Sequence, residues 1–409
     1  MSLAKLSIAD VDLSGKRVFV RTDYNVPQDK EGNITNLARI EASLPTLKHC
    51  LEKGCKSLVL ASHLGRPKGN GPEPAFTLAP VAKALEGLLG KPITLLKDCC
   101  GPEVEAACAN PTPGSIFLLE NLRFHKEETN ENEDDPKVKA FRASLAKLAD
   151  VYCNDAFGTA HRPHSSMVGE GYSVRCAGFL MQKEIDYFRI ALSEPKRPYL
   201  AILGGAKVAD KIKLIKNLLP KVNKIIICGG MSFTFLKKLK GMNIANSLYD
   251  SEGAETVDAL MEIAKAHNVE VILPIDCVAA SEFDDGAKTK VVTCEEGIPE
   301  GWMGLDCGPA SNELFAKAIM SSKTVIWNGP PGVFEMNSFC HGTMAMVDAV
   351  VKATEAGAIT IIGGGDSATA AKKAKATSKI SHVSTGGGAS LELLQGDPLP
   401  GVVRLSDKK

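Results

Sequence analysis

The chain has 409 residues, with 48 Lys plus Arg balanced by 48 Asp plus Glu. That length exceeds what one hydrophobic core fills and points to two domains of roughly 200 residues each. With 44% hydrophobic and 23% charged residues the chain is neither disordered nor fibrous, and its formal net charge of +0 argues against bulk attraction to nucleic acid or an anionic membrane.

The opening, MSLAKLSIADVDLSGKRV, lacks the long apolar stretch of a secretory signal. No window approaches the ~20 apolar residues of a membrane span, and VVRLSDKK is not a peroxisomal SKL. These features predict a cytoplasmic protein. Apolar runs at 17–21, 57–61, 93–96, 115–119 and 151–154 read as strands in the first half. A second series follows at 199–203, 224–228, 270–273, 324–327, 359–362 and 381–384. Most are continuous rather than alternating, and helical patterns separate them. That is the signature of parallel strands covered on both faces. The expected fold class is α/β: two doubly wound parallel-sheet (Rossmann-like) domains joined by a connecting helix. The N-terminal domain is expected over 1–180 and the C-terminal domain over 181–391. The boundary falls in 178–195, where Ile185, Phe188 and Leu192 recur at helical spacing and Pro195 and Pro198 follow. The connecting helix is placed at 181–195. Two self-sufficient domains make a monomer the expectation.

Basic residues stand at the expected strand ends of the first half. Arg21 precedes Asp23 and Asn25 in VRTDYNVP, and Arg39 opens RIEASLPTLKH. His63 and Arg66 lie in SHLGRP, Arg123 in ENLRF and Arg162 in GTAHRPHSS. Parallel strands put these loops at one edge, so the arginines would converge on a small, multiply charged anion. Singly, each arginine is more often a surface residue or salt-bridge partner. His161 and His164 do not read as a metal pair, because Pro163 spoils their spacing. The acidic run 127–135 reads as a solvated face. The 12 cysteines form no C-x-x-C, and the adjacent Cys99 and Cys100 suit neither a disulfide framework nor a zinc site. They read as reduced, mostly buried thiols, and a redox role for this pair is set aside.

In the second half glycine follows strand after strand: Gly204–Gly205, Gly229–Gly230, Gly363 to Gly365, and Gly386 to Gly388. Such loops let backbone N–H groups approach a phosphate at the carboxyl ends of strands. Lys207 and Lys211 in GGAKVADKI, four apart, are expected on one helix face beside the first loop, as phosphate contacts. Gly363, Gly365 and Ala368 satisfy a relaxed dinucleotide fingerprint, which keeps an NAD-dependent dehydrogenase as the alternative. That reading needs an acidic residue after the next strand, where Ser384 and Thr385 stand instead. Asp366 sits within the loop, which suggests Mg²⁺ on a nucleotide, although an N-cap role is compatible.

The segments RVFVRTDYNVP, SHLGRP, LENLRF, NDAFGTAHRPHSSMVG, LGGAKVADKI, CGGMSFTFL, GLDCGP, WNGPPGVFE, GGGDSA and STGGGAS, in this order, resemble those of phosphoglycerate kinases. The resemblance covers essentially the whole chain. It implies reversible, Mg²⁺-dependent phosphoryl transfer from 1,3-bisphosphoglycerate to ADP, giving 3-phosphoglycerate and ATP in glycolysis and gluconeogenesis. It implies that Asp23, Asn25, Arg39, His63, Arg66, Arg123 and Arg162 hold 3-phosphoglycerate. It implies that Gly205, Lys211, Gly229, Gly230, Gly304, Asn328, Pro330, Val333, Glu335, Gly363, Gly364, Gly365, Asp366 and Ser367 line the nucleotide site, with Glu335 on the ribose and Asp366 on the metal. The tail, 392–409, would return to the N-domain. Pro331, Ser367 and Pro163 stand where the family usually has Val, Thr and Ala.

Arg39 and Lys207, with the N–H groups of Gly386 and Gly387, are the expected catalytic groups around the migrating phosphoryl. An acyl phosphate releases a carboxylate, so neither a general acid nor a base is needed. Substrates on separate domains call for hinge-bending closure, with the 178–195 helix as one hinge element. The expected partners are small molecules only, without nucleic acid or membrane.

Overall fold

The computed structural model describes residues 3–408. Met1, Ser2 and Lys409, at the ends of the expected N-domain and tail, lie outside the described residues. The chain forms two compact units: one runs to Asp186 and takes in the segment from Pro398, and the other is Tyr187–Asp397.

The first unit holds six strands: β1 (Arg17–Arg21), β2 (Ser57–Ala61), β3 (Thr94–Leu95), β4 (Ser115–Leu118), β5 (Val151–Asn154) and β6 (Arg175–Ala177). Their order is β3-β4-β2-β1-β5-β6, with every pairing parallel. All five residues of β2 are buried, as a strand covered on both faces requires. Arg21 pairs with Ala61 on one side and Asn154 on the other, so these strands end level. The topological switch falls between β1 and β5. Near the end of the chain, Ser406 N donates to Arg175 O and Lys408 N to Ala4 O, at 2.8 and 3.0 Å.

The helix Phe179–Ser193 follows β6 and runs from the first unit into the second. Its start is capped by Asp155, whose Oδ1 accepts from the N–H groups of Leu180 (2.9 Å) and Met181 (3.1 Å).

The second unit holds β7 (Tyr199–Leu203), β8 (Lys224–Ile227), β9 (Glu270–Ile272), β10 (Asp276–Ala280), β11 (Thr289–Thr293), β12 (Met303–Cys307), β13 (Thr324–Asn328), β14 (Ile359–Gly363) and β15 (His382–Val383). Six form a second parallel sheet, ordered β15-β14-β13-β7-β8-β9, with its switch between β7 and β13. Leu203 pairs with Ile227 and Asn328, and Asn328 with Gly363, so four strand ends share one level. The fold class read from the sequence therefore stands.

Two features depart from that reading. β6 has only three residues and gives no apolar run. The strands β11-β10-β12 form a separate antiparallel sheet. It escapes a search for apolar runs because β11 is largely exposed and β12 carries Gly304 and Asp306.

Candidate functional site

In the first unit, the loops after β1, β2, β4 and β5 leave one sheet edge. Arg39 Nη1 donates to Asp23 Oδ2 at 2.6 Å. Asn25 Oδ1 accepts from Gly65 N at 2.9 Å, and Arg123 Nη1 donates to Gly65 O at 3.0 Å, which ties three of these loops together. Arg39, Arg66 and Arg162 are exposed, whereas Arg123 is half-buried. The His63 imidazole is held well below its ordinary pKa by burial and by Arg21, Arg123, His164 and Arg39. His164 is pushed down to about 3 by burial and by Arg123, Arg21 and Arg162. Burial, Arg21 and Arg66 lower Arg123. These mutual effects bring all the basic residues named from the sequence into one cluster. Arg123 Nε and His164 Nδ1 are buried there without a hydrogen-bond partner. The cluster thus holds unpaired polar atoms and an excess of cations, the condition an anion relieves.

Arg21 supports the cluster from beneath. It is fully buried, and its Nε donates to Ser166 Oγ at 2.7 Å. Its Nη2 lies 3.2 Å from His63 Nδ1. A guanidinium can only donate, so Nδ1 accepts and the His63 proton sits on Nε2, where it can be donated. Glu128 is also fully buried, 3.9 Å from Arg21, and accepts from Ser166 N and Oγ at 2.9 and 2.6 Å. The acidic run is therefore not a uniformly solvated face: burial raises the Glu128 carboxyl, and it serves as counter-charge to Arg21.

In the second unit, the level strand ends enclose a cavity of about 290 Å³. Gly205, Gly229, Gly230, Gly304, Pro330, Val333, Glu335 and Asp366 are among its walls. Glycine is required where the chain crosses the switch: a Cβ at Gly204 would strike the carbonyl oxygens of Gly329 and Pro330, and one at Gly329 would strike Gly204. Gly329 also has φ +101°, in the left-handed region. Lys211 Nζ donates to Asn328 Oδ1, and Gly329 N donates to Ser367 Oγ at 2.7 Å. Ser367 thus uses the hydroxyl it would share with threonine. Pro331 keeps its carbonyl in use, accepting from Cys307 Sγ at 3.7 Å. Gly363 and Gly364 lie against the Asn328 side chain. Burial lowers the Lys211 ammonium, while Asp210 and Asp366 raise it.

Two local expectations are corrected. Lys207 and Lys211 do not share a helix face, because Lys207 lies in the loop and Lys211 closes a 3-10 turn, Ala209–Lys211, ahead of the α-helix that begins at Ile212. Asp250 Oδ2 fixes that loop by accepting from Ala209 N at 2.8 Å. Asp366 is not an N-cap: Gly364 takes that place and Asp366 stands, exposed, in the first turn of the helix Gly365–Lys373. Gly386 and Gly387 follow β15 and are not among the residues lining the cavity.

An exposed carboxylate in a cavity wall, near a lysine, fits a Mg²⁺ site completed by phosphate oxygens, because this ion is commonly bound through one or two carboxylates plus substrate phosphates. Glu335, Leu248 and Phe283 add a polar and an apolar rim.

The family model for phosphoglycerate kinase matches residues 8–397. The chain belongs to the phosphoglycerate kinase family. It is 59% identical over 414 residues to a probable phosphoglycerate kinase of Caenorhabditis elegans, covering 99% of each chain. It is 57% identical over 417 residues to phosphoglycerate kinase 1 of Homo sapiens, covering 100% of each. The solved phosphoglycerate kinase of Coxiella burnetii superposes with a TM-score of 0.89 at 37% identity, covering 98% of both chains. Membership in the phosphoglycerate kinase family makes the chain a phosphotransferase and removes the dehydrogenase alternative. Sequence reasoning about that family passed over Arg21 as a supporting residue, Glu128 and His164. The motif NDAFGTAHRPHSSMVG contained His164, but nothing in its spacing announced burial among arginines.

Proposed function

We propose that the chain carries out reversible transfer of a phosphoryl group between 1,3-bisphosphoglycerate and ADP, in glycolysis and gluconeogenesis. One observation supports this most: a basic cluster with unpaired polar atoms in one unit is matched by a glycine-walled cavity in the other. In this reading Asp23, Asn25, Arg39, His63, Arg66, Arg123 and Arg162 bind the glycerate substrate. Gly205, Lys211, Gly229, Gly230, Gly304, Asn328, Pro330, Val333 and residues 363–367 bind the nucleotide. Leu248 and Phe283 flank the base, and Glu335 receives the ribose hydroxyls. Asp366 holds Mg²⁺, which supplies charge neutralisation on the nucleotide phosphates.

Arg39 and Lys207, with the Gly386 and Gly387 N–H groups, orient the migrating phosphoryl group and offset charge on its equatorial oxygens. The leaving carboxylate needs no proton, so the neutral His63 acts as a donor to substrate and not as an acid catalyst. Transfer demands that both ligands meet, so the units close during turnover. The protein works as a cytoplasmic monomer on small molecules, without nucleic acid or membrane; no helix among the described residues is long and apolar enough to cross a membrane. A coupled assay of ATP-dependent phosphorylation of 3-phosphoglycerate tests the reading. Turnover requiring Mg²⁺ is expected, and its absence in folded protein overturns it.

A further inference from the structure

Within the first unit, and apart from the basic cluster, Asp98, Cys99, Cys100 and His125 gather so that one polar atom of each lies within 4.8 Å of the others. His125 Nε2 lies 2.7 Å from Asp98 Oδ1. Cys100 Sγ lies 3.8 Å from that nitrogen and 4.0 Å from Nδ1. The Phe141 ring packs on His125 at 5.5 Å between centroids. Cys100 directly precedes Gly101, the N-cap of the helix Pro102–Ala109, whose free N–H groups favour an adjacent negative charge. A cavity of about 680 Å³ opens here, with Lys97, Asp98, Cys100, Glu103 and His125 among its walls. Cys99 is fully buried and does not line it.

We propose that Cys100 is a modification site at which a low-molecular-weight disulfide forms a mixed disulfide with the protein, with His125 and Asp98 as positioning residues. The Cys100 thiolate attacks one sulfur of the incoming disulfide. A new S–S bond forms as the old one breaks, and the outgoing thiolate takes its proton from the His125 imidazolium. The thiol is oxidised to the mixed disulfide and the incoming disulfide supplies the oxidising equivalent, so no further reactant is needed.

A metal site is the weaker reading. Asp98 and His125 already bond to each other through the Nε2 a metal would use, and the two cysteines differ in access. The groups facing the thiol are Asp98 and Cys99 from its own loop, His125 from the segment after Leu122–Phe124, and Lys97 and Glu103 in the cavity wall. The Cys99 thiol, and then His125, hold Cys100 down to about 6 against partial burial. Asp98 and then Cys100 raise His125 to about 10. Of the other cysteines only Cys294 and Cys340 are not buried, and burial raises the Cys294 thiol.

The test is peptide mapping of the full-length protein after brief exposure to glutathione disulfide, alongside iodoacetamide labelling across pH. Cys100 should carry the adduct first, and at pH 6 it should outpace Cys294 by roughly tenfold, since thiolate fraction outweighs the lower nucleophilicity. Its labelling midpoint should lie near pH 6 and move upward in His125→Gln, which removes a group that lowers the thiol. The proposal fails if Cys294 or Cys340 reacts first. It fails equally if Cys100 titrates like a free thiol at about 8.5, or if a Cys99–Cys100 disulfide forms without adduct. The mapping uses unaltered protein, so it stands even if a variant misfolds.

Discussion

Arg21 shows how a buried charge can serve a site it does not line. Its guanidinium fixes the His63 tautomer and shares Ser166 with Glu128. Replacing it by Met would leave Glu128 buried without its counter-charge, a loss on the order of 3–5 kcal/mol, readable by chemical denaturation. Arg39→Ala and Lys207→Ala should instead fold normally and lower kcat by orders of magnitude; near-normal turnover in either would remove its assigned role. The depressed histidines give a pH signature. Unfolded His63 and His164 take up protons below about 6.5, whereas the folded forms resist, His164 down to about 3. Stability is therefore complete above the unfolded value and falls as acid is added, by at most about 1.4 kcal/mol per pH unit for each histidine. His164→Gln should flatten that slope in acid titrations followed by circular dichroism. Arg66, Arg123 and Arg162 were legible because each lies in a motif at a strand end, and Arg39 because it opens a helical run. The supporting roles of Arg21, Glu128 and His164 were not, because they come from burial beneath the loops, which no local spacing encodes.

At the scale of elements, the parallel strands other than β6 were legible as apolar runs, since both faces of strands such as β2, β7 and β13 are buried. The antiparallel strands were not, because β11 gains its place from pairing with β10 rather than from its own composition. The loop with Lys207 misled for a related reason: the expected helix yields to a turn whose shape Asp250, from a distant segment, imposes. The Asp155 cap carries a prediction of its own. Both of its bonds to the helix Phe179–Ser193 reach one oxygen, and burial raises its carboxyl to about 6. What the protonated group contributes is present in acid and lost as pH rises through about 6. Asp155→Asn keeps the acceptor without the charge, so at pH 8 it should stabilise the protein, by on the order of 1 kcal/mol. Asp155→Ala should destabilise it by about 1 kcal/mol. Thermal unfolding of both variants at pH 5 and pH 8 checks the sign.

At the scale of the molecule, the proposed assignment of two substrates to two units predicts a closing motion. Small-angle scattering with 3-phosphoglycerate and a nucleotide together should give a smaller radius of gyration than either ligand alone; unchanged dimensions would remove closure from the mechanism. The net charge of zero gave no hint of this division. It averages an arginine cluster in one unit against acidic stretches elsewhere.

The first unit takes its final segment from the far end of the chain, with Lys408 bonded to Ala4 and Lys5 to Asp407. In topological terms the second unit is an insertion within the first. During synthesis the unit that emerges first must wait for the last residues before its fold is complete, whereas the later one can close on its own. Linking the chain across the paired segments at Ala4–Lys5 and Asp407–Lys408 and reopening it in a surface loop should move that waiting period from one unit to the other while leaving the native contacts in place.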